Sequence, residues 1–273
     1  MDPSRRFDEL IAEGEAAPIE GWDFSWFAGR ATEERPSWGY SALAAERIAD
    51  PAVAAVVDLQ TGGGEVFAEA LARASAGIDG PDGVRRPGRI PPTVWATEGW
   101  PPNLALARRA LELFRGEAVL VDERARLPFT DGLFDLVLSR HPAFTNWPEI
   151  ARVLAPGGTY LSQQVAAGSN RELYEFFLGP HPVGENDERS LANLVTGARA
   201  AGLSVVDAVQ EATRVEFFDV GAVVHFLRKV LWTVPDFSVE RYRGKLEELH
   251  RIIEAEGSFV CHSRRALVEA RRS

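Results

Sequence analysis

Three consecutive glycines, Gly62, Gly63 and Gly64, follow a short apolar run and precede a helical pattern. Glycine allows a sharp turn and lets backbone N–H groups approach a ligand closely, and the start of the next helix favours a carboxylate or phosphate. The pattern is therefore typical of a turn that holds a small nucleotide-like ligand. It is not the dinucleotide fingerprint, because Phe67 stands in place of the third glycine, and no Lys-Ser/Thr pair follows to bind phosphates. A nicotinamide dehydrogenase and a P-loop protein are both disfavoured.

Polar side chains follow the next predicted strands. Glu98 ends the second strand, where a carboxylate can accept hydrogen bonds from both hydroxyls of a ribose. Asp122 and Glu123 follow the third strand, and the fourth strand ends at residues 139–141. Open α/β sheets bind ligands outside the carboxyl ends of their strands, at the switch in strand order. We therefore expect these side chains to line one crevice with the glycine turn.

Apolar runs alternate with helical patterns along the chain, which indicates α/β architecture with a mostly parallel sheet. We expect strands over residues 53–59, 93–97, 118–121, 134–139, 159–165, 204–210 and 259–270. We expect helices over residues 65–76, from residue 101, and over residues 147–154, 191–201, 219–232 and 238–256.

The first 50 residues look polar and irregular, with aromatic residues such as Trp26 and Trp38 among glycine, proline and charged residues. Two interpretations are open. The segment is a lid whose aromatic side chains partly cover the ligand edge of the sheet, or these side chains anchor a tail to the core. We expect the chain to have four parts: an N-terminal lid or cap at 1–50, a ligand-binding core at 51–211, a helical substrate cap at 212–257, and the last strand of the core sheet at 258–273.

The composition excludes several classes of protein. With 273 residues, 45% of them hydrophobic, the chain can bury one large core, or a core with a modest cap. The net charge of −10 disfavours a nucleic-acid partner, which needs clustered Lys and Arg. Cys261 is the only cysteine, so neither an intrachain disulfide nor a cysteine-rich zinc site is possible, and we expect no metal site.

The N-terminus has no apolar signal core, and no run reaches about 18 apolar residues. We therefore expect a soluble cytoplasmic protein without a membrane partner. Whether it is a monomer or a homodimer stays open.

Five segments in order resemble the class I S-adenosylmethionine-dependent methyltransferases, particularly the group typified by the ubiquinone/menaquinone-biosynthesis methylases. The family's Asp-x-Gly-x-Gly-x-Gly turn corresponds to residues 58–64, with Gln60 in place of the first glycine. The resemblance covers roughly residues 53–165. The other four matches follow in chain order. The segment Glu98-Gly99-Trp100-Pro101 corresponds to the family's acid before a helix, and the segment Glu123-Arg124-Ala125-Arg126-Leu127-Pro128-Phe129 corresponds to the family's Asp-Ala-x-x-Leu-Pro-Phe. The segments 134–139 and 149–158 correspond to the two family segments that come next.

This resemblance implies a Rossmann-like sheet of seven mostly parallel strands in the order 3-2-1-4-5-7-6, with helices on both faces and a helical cap from the two ends of the chain. It also implies S-adenosyl-L-methionine as the cofactor and S-adenosyl-L-homocysteine as the product. The core at 51–211 would then be the cofactor-binding part.

The resemblance also implies a set of cofactor contacts in this chain. The glycine turn, with Asp58 and Gln60, would hold the methionine part, and Glu98 with Gly99 would bind the ribose hydroxyls. Glu123 would bind the adenine amino group, either together with Asp122 or with Asp122 binding it instead. The remaining expected contacts are the Arg124 backbone N–H near the adenine ring, and Ser139, Arg140 and His141 beside the sulfonium.

Methyl transfer needs proximity and alignment more than elaborate acid and base groups. His141 is the best-placed candidate for a general base, and the alternative interpretation is a histidine that only lines the pocket or bonds to a loop. Arg140 either anchors an acidic substrate or pairs with Glu149. Adjacent strand residues point to opposite faces, so at most one of Gln163 and Gln164 can face the pocket. The expected substrate-contacting residues are Trp26, Trp38, His141, Gln164, Phe218 and His225.

Three functions remain in competition. The leading one is methylation of a small organic molecule at an oxygen, nitrogen or carbon that the sequence does not identify. An RNA methyltransferase is disfavoured by the net charge, and because Arg140-His141-Pro142-Ala143 stands where an Asn-Pro-Pro-Tyr-like tetrapeptide would grip a base. The third is a methyltransferase-like, cofactor-binding regulatory protein without turnover, which Gln60 in the glycine turn suggests.

Overall fold

The computed structural model describes residues 3–19, 24–79, 85–181, 183–184 and 187–273. The chain divides into two units, which we term the helical unit and the sheet unit. The helical unit comprises Met1–Pro36, Ala167–Glu185 and Glu211–Arg264. The sheet unit comprises Ser37–Ala166, Asn186–Gln210 and Arg265–Ser273. The four-part division expected from the sequence stays a prediction.

Helices and strands alternate through most of the chain. The helices are α1 (Pro3–Ala16), α2 (Tyr40–Ile48), α3 (Glu65–Ala76), α4 (Pro101–Glu112), α5 (Trp147–Val153), α6 (Arg171–Leu178), α7 (Leu191–Ala200), α8 (Val220–Lys229) and α9 (Val239–Glu256). The strands are β1 (Ala31–Glu33), β2 (Ala55–Leu59), β3 (Ile78–Asp79), β4 (Arg85–Arg86), β5 (Thr93–Glu98), β6 (Glu117–Leu120), β7 (Phe134–Arg140), β8 (Leu154–Val165), β9 (Leu203–Phe217) and β10 (Phe259–Arg272).

The main sheet has eight strands in the order β1-β9-β10-β8-β7-β2-β5-β6, and β3 pairs with β4 in a separate ribbon. The five strands β6, β5, β2, β7 and β8 are parallel, whereas β10 is antiparallel to β8 and β1 is antiparallel to β9. The expectation of an α/β fold with a mostly parallel sheet is confirmed.

The expected sheet of seven strands in the order 3-2-1-4-5-7-6 is wrong in its count, and the full order differs with it. The additional strand is β1, in which Ala31–Glu33 pairs with Val215–Phe217 of β9. Three residues are too few to display the alternation of polar and apolar side chains by which a strand is recognised, so the sequence pattern did not reveal it.

The central strand β2 is buried along its whole length, as befits a parallel strand with helices on both faces. Successive side chains of a strand point to opposite faces. Val56 accordingly belongs to one core with Leu71 of α3, and Val57 belongs to a second core with Ile150 of α5. This packing fixes the end of β2, where the glycine turn begins.

The N-terminal segment is not irregular as expected, because it contains both α1 and α2. In α1 the two buried apolar residues Phe7 and Ile11 lie one turn apart and pack with Val223 and Leu227 of α8. The other residues of α1 are mostly polar, so this narrow apolar stripe does not stand out in the sequence as a helical pattern. Among the residues that the structure describes, no helix combines the length and apolar character needed to cross a bilayer.

In the helical unit, α1 and α8 approach closely at two glycines. A Cβ atom on Gly14 would collide with the carbonyl oxygen of Gly221, and one on Gly221 would collide with the carbonyl oxygen of Leu10. Close packing of two helix backbones at this point therefore requires residues without side chains.

Gly14→Ala tests this packing. Alanine usually stabilises an exposed helix position by about 1 kcal/mol relative to glycine, but here the collision should dominate and lower the free energy of unfolding by about 1–3 kcal/mol. Urea denaturation followed by circular dichroism measures the change, with Glu15→Ala on the exposed side of α1 as the control. Stabilisation of Gly14→Ala would contradict the close approach.

Candidate functional site

The glycine turn after β2 uses the left-handed backbone conformation three times. Gln60, Gly62 and Gly64 have φ angles of 56°, 65° and 81°. A Cβ on Gly64 would lie 3.0 Å from the Cα of Ala107, whereas a Cβ on Gly62 would meet no atom within 4 Å. The chain therefore needs glycine at position 64 for helix packing, and leaves open space beside Gly62.

Glu98 lies at the tip of β5 with its carboxylate facing this turn. Oε2 accepts a hydrogen bond of 2.7 Å from the backbone N–H of Gly62, and Oε1 accepts one of 2.9 Å from the N–H of Trp100. The residue is buried. Each carboxylate oxygen has a further lone pair, so Glu98 can still accept hydrogen bonds from a ligand.

Asp58, the last acidic residue before the turn, is buried and accepts a hydrogen bond of 2.5 Å from Thr61 Oγ1. Burial raises the pKa of Asp58 to about 7; the Thr61 hydrogen bond and the charge of Arg140 act against this rise, and Glu98 adds to it. Asp58 therefore keeps its proton to a higher pH than an exposed aspartate does. A ligand cation bound beside it would favour the carboxylate.

The loop after β6 holds the residues expected at the adenine. Asp122 Oδ1 accepts a hydrogen bond of 2.9 Å from the backbone N–H of Arg124, so this N–H is bound within its own loop. Asp122 is exposed and Glu123 is half-buried. The Val121 N–H donates to the carbonyl of Glu98 over 2.9 Å, which joins this loop to the tip of β5.

Gln60 bridges the turn and the loop that follows β7. Its Nε2 donates to the carbonyl of Phe144 over 2.6 Å, and its Oε1 accepts from the N–H of Ala143 over 2.7 Å. The Arg124 guanidinium lies 4.2 Å above the centre of the Phe144 ring, so this loop is also tied to the loop after β6. Left-handed backbone at a non-glycine residue costs about 1–2 kcal/mol, and these bonds offset that cost.

The cavity between these loops has a volume of about 20 Å³, with Thr97, Glu123, Ser139, Phe144 and Tyr160 among its lining residues. This is room for roughly one water molecule. The residue types around the cavity suit an adenosyl ligand, but its volume does not. An adenosyl group could occupy this cavity only if Gln60 and the loop after β7 moved apart.

At the end of β7, Ser139 is buried and His141 has a left-handed φ of 55°. The Gln163 amide lies between two side chains: Trp38 Nε1 donates to Gln163 Oε1 over 2.7 Å, and Gln163 Nε2 lies 2.9 Å from His141 Nε2. Gln164 accepts a hydrogen bond of 3.2 Å from Thr145 Oγ1. The structure thus brings three of the expected substrate residues, Trp38, His141 and Gln164, to the same end of the sheet unit.

Tyr160, Ser162 and Gln164 lie on one face of β8 and are buried near this end of the sheet, where the Tyr160 hydroxyl can form hydrogen bonds with Ser162, Ser139 and Gln164. Burial raises the pKa of Tyr160 to about 12, so its hydroxyl stays protonated. Buried polar groups are nearly always hydrogen-bonded, and these side chains can satisfy one another.

The other three expected substrate residues, Trp26, Phe218 and His225, belong to the helical unit. His225 is fully buried, with ring centres 4.8 Å from Trp26 and 4.9 Å from Phe27. Burial, together with the charges of Lys229, Arg228 and Arg30, lowers its pKa to about 4. His225 is thus a neutral core residue in this unit, and Phe218 is exposed.

Sequence reasoning missed some residues that hold the site together. Thr97 fixes the turn, because its Oγ1 accepts the Gln60 N–H and its carbonyl accepts the Thr61 N–H. Phe144 receives the Gln60 bridge. The position of Thr97, directly before the acid that ends β5, is a signal that the sequence contains. The sequence contains no comparable signal for Phe144.

Glu149, expected as a possible partner of Arg140, binds Arg152 over 2.6 Å and the Leu127 N–H over 2.8 Å.

The fold resembles that of several solved structures. A candidate methyltransferase from Bacillus halodurans matches with a TM-score of 0.55 and 19% identity, over 85% of this chain and 98% of that one. A candidate sarcosine dimethylglycine methyltransferase from Galdieria sulphuraria matches with a TM-score of 0.50 and 16% identity, over 100% and 99%. The [4+2]-cyclase SpnF matches with a TM-score of 0.51 and 17% identity, over 99% and 93%.

At these identities the likeness shows the fold alone, which the two candidate methyltransferases and the cyclase share. No protein-family model matches the chain, and no curated protein does. Since a cyclase has the same fold, the function has to be argued from the site. The narrower resemblance to the ubiquinone/menaquinone-biosynthesis methylases stays a prediction.

Asp58 should make the chain less stable as the pH rises. Its pKa is raised from 3.8 to about 7, so between these values the folded chain retains a proton that the unfolded chain releases, and the free energy of unfolding falls with rising pH. Over this whole pH interval the free energy of unfolding should fall by roughly 4 kcal/mol. In urea denaturation, Asp58→Asn should therefore be more stable than the wild type near pH ~8 and should lose this advantage near pH ~4. Asp207→Asn, exposed on β9, is the control; a difference that does not change with pH would contradict the buried, protonated Asp58.

Proposed function

We propose that this chain binds S-adenosyl-L-methionine at the carboxyl ends of β2 and β5 and methylates a small organic molecule. The observation that carries the proposal is the Glu98 carboxylate, which is held 2.7 Å from the Gly62 N–H. An acid on the strand next to a glycine turn is the arrangement that binds the two hydroxyls of a ribose. The class I methyltransferase fold supports the same assignment.

The chain offers a group for each part of this cofactor. Glu98 would bind the ribose, and Glu123 would bind the adenine, because Asp122 is bonded to its own loop. The raised pKa of Asp58 suits a carboxylate that becomes fully charged when an ammonium group lies beside it. When bound, the cofactor would supply a methyl group on a positively charged sulfur.

The substrate would lie at the ends of β7 and β8, beside Trp38 and His141, which both contact Gln163. Aromatic and weakly polar surroundings of this kind favour a small organic molecule. The net charge of −10 gives no support to an RNA substrate.

A second candidate function is a methyltransferase-like regulatory protein without turnover. It is favoured by one observation, the Gln60 bridge to Ala143 and Phe144, which leaves a cavity of only about 20 Å³. In the first function this bridge opens when the cofactor binds. In the second the crevice either stays closed or binds the cofactor without transferring its methyl group.

Replacement of Glu98 tests the proposed binding site. The wild type should bind S-adenosylmethionine and S-adenosylhomocysteine in isothermal calorimetry, and Glu98→Ala should bind both about 5–150-fold more weakly, since two hydrogen bonds to a charged group are worth about 1–3 kcal/mol. Glu112→Ala, exposed on α4, should bind as the wild type does. Thermal melting checks that each variant is folded. Equal affinity of Glu98→Ala and the wild type would remove the proposed ribose contact.

Replacement of Gln60 tests whether the bridge closes the site. Gln60→Gly removes the hydrogen bonds that must break on opening, which are worth about 0.5–1.5 kcal/mol each, and should strengthen cofactor binding roughly tenfold. Gln60→Ala, which also lacks the bridge but keeps a side chain at a left-handed φ, should bind more tightly than the wild type too. Weaker binding by both variants would mean that Gln60 holds the cofactor instead of blocking it.

A further inference from the structure

We infer that His141 is fixed as the neutral tautomer with its proton on Nδ1, and that in this form it donates a hydrogen bond to an oxygen of the substrate instead of acting as a base. The residues that fix it are Gln163 and Trp38. The tautomer follows from contacts within the sheet unit. The role toward a substrate rests on the proposed function.

The first step concerns the Gln163 amide. Trp38 Nε1 lies 2.7 Å from Gln163 Oε1. An indole N–H can only donate, so the atom of Gln163 that faces Trp38 must be the oxygen. The amide nitrogen is then the atom that faces His141. Trp38 thereby sets which way the amide points.

The second step concerns the imidazole. Gln163 Nε2 lies 2.9 Å from His141 Nε2, and an amide nitrogen can only donate. His141 Nε2 must therefore accept, so it carries no proton. A neutral imidazole holds one proton, which places it on Nδ1.

The backbone reinforces this arrangement. His141 N–H donates to the Gln163 carbonyl over 2.7 Å, so the main chain and the side chain of Gln163 both bind the same residue. His141 has a left-handed φ of 55°, which is uncommon for a residue with a side chain. These bonds hold the imidazole in one orientation.

The charges around the ring also keep it neutral. Burial, then the positive charges of Arg140 and Arg265, hold the pKa of His141 well below 6.5. With Nε2 accepting from Gln163 and Nδ1 protonated, the ring has no lone pair free to remove a proton from a substrate. The general-base role expected from the sequence is therefore replaced by a donor role.

The donor defines a class of substrate. Within the described residues, Nδ1 makes no hydrogen bond. A donor with positive charges nearby favours an anionic oxygen, as in a carboxylate. A hydrogen bond from His141 would occupy a lone pair of the oxygen that it contacts, so that oxygen anchors the substrate and the methyl acceptor is a different atom. We therefore assign a small carboxylate-bearing molecule to this site.

Nitrogen NMR of the full chain, labelled with ¹⁵N in its five histidines, reads the tautomer directly. Long-range proton–nitrogen spectra at about pH 8 should show a protonated Nδ1 and an unprotonated Nε2 for His141. The signal is assigned by its absence in His141→Gln. A protonated Nε2, or averaged shifts, would overturn the inference.

Two variants test the residues that position the ring. Gln163→Glu places an acceptor opposite Nε2, so the proton should move to Nε2 and the pKa of His141 should rise. Trp38→Phe removes the indole N–H and leaves an aromatic ring, so the Gln163 amide can rotate and the His141 shifts should become averaged. A protonated Nδ1 in both variants, with native melting curves, would show that Gln163 and Trp38 do not set the tautomer.

Sodium benzoate and benzyl alcohol test the donor role. Benzoate should shift the His141 Nδ1–H signal in a saturable manner, and benzyl alcohol, which lacks the charge, should not. No shift with benzoate would overturn the assignment of a carboxylate. These measurements need no cofactor, so they stand if S-adenosylmethionine fails to bind, and that failure would count against the proposed function alone.

Discussion

The hydrogen bond between the Gly62 N–H and the Glu98 carboxylate joins the two strand ends on which the site depends. It exists because β2 and β5 are parallel and in a register that pairs Asp58 with Ala96, which brings their carboxyl ends level. The Glu98 carbonyl also accepts the Val121 N–H, so the loop after β6 is held to the same point. A ligand that bound Glu98 would therefore contact three successive strand ends at once.

The same edge of the sheet contains opposing demands. Burial of Asp58 favours its protonated form, whereas Arg140 and a ligand cation favour the carboxylate. Gln60 stands where its backbone conformation suits glycine, and its side chain binds the loop after β7. In the proposed function, binding of the cofactor would favour the charged form of Asp58 and would break the hydrogen bonds of Gln60 to Ala143 and Phe144.

The sequence was a good guide to features set by local pattern. The run 58–64 marked the end of β2 and the turn, and the acid at the end of β5 identified Glu98, because strand ends and glycines are visible over a few residues. Pairings across the chain were not visible. The Gln60–Phe144 bond joins residues 84 apart and the Trp38–Gln163 bond joins residues 125 apart. The role of Gln60 and the orientation of His141 depend on these bonds, so neither could be read from spacing. The same limit hid β1, whose three residues form a strand only because β9 offers them a partner.

The central claim is that an adenosyl group binds beside the Gly62–Glu98 hydrogen bond, with the Gln60 bridge open. A crystal structure of the full chain grown with S-adenosylhomocysteine tests it most directly. The account predicts density for the ribose within hydrogen-bond distance of both Glu98 oxygens, and Gln60 separated from Ala143 and Phe144. Crystals that contain the ligand elsewhere, or that retain the Gln60 bridge with no density beside Gly62 at saturating ligand, would contradict it.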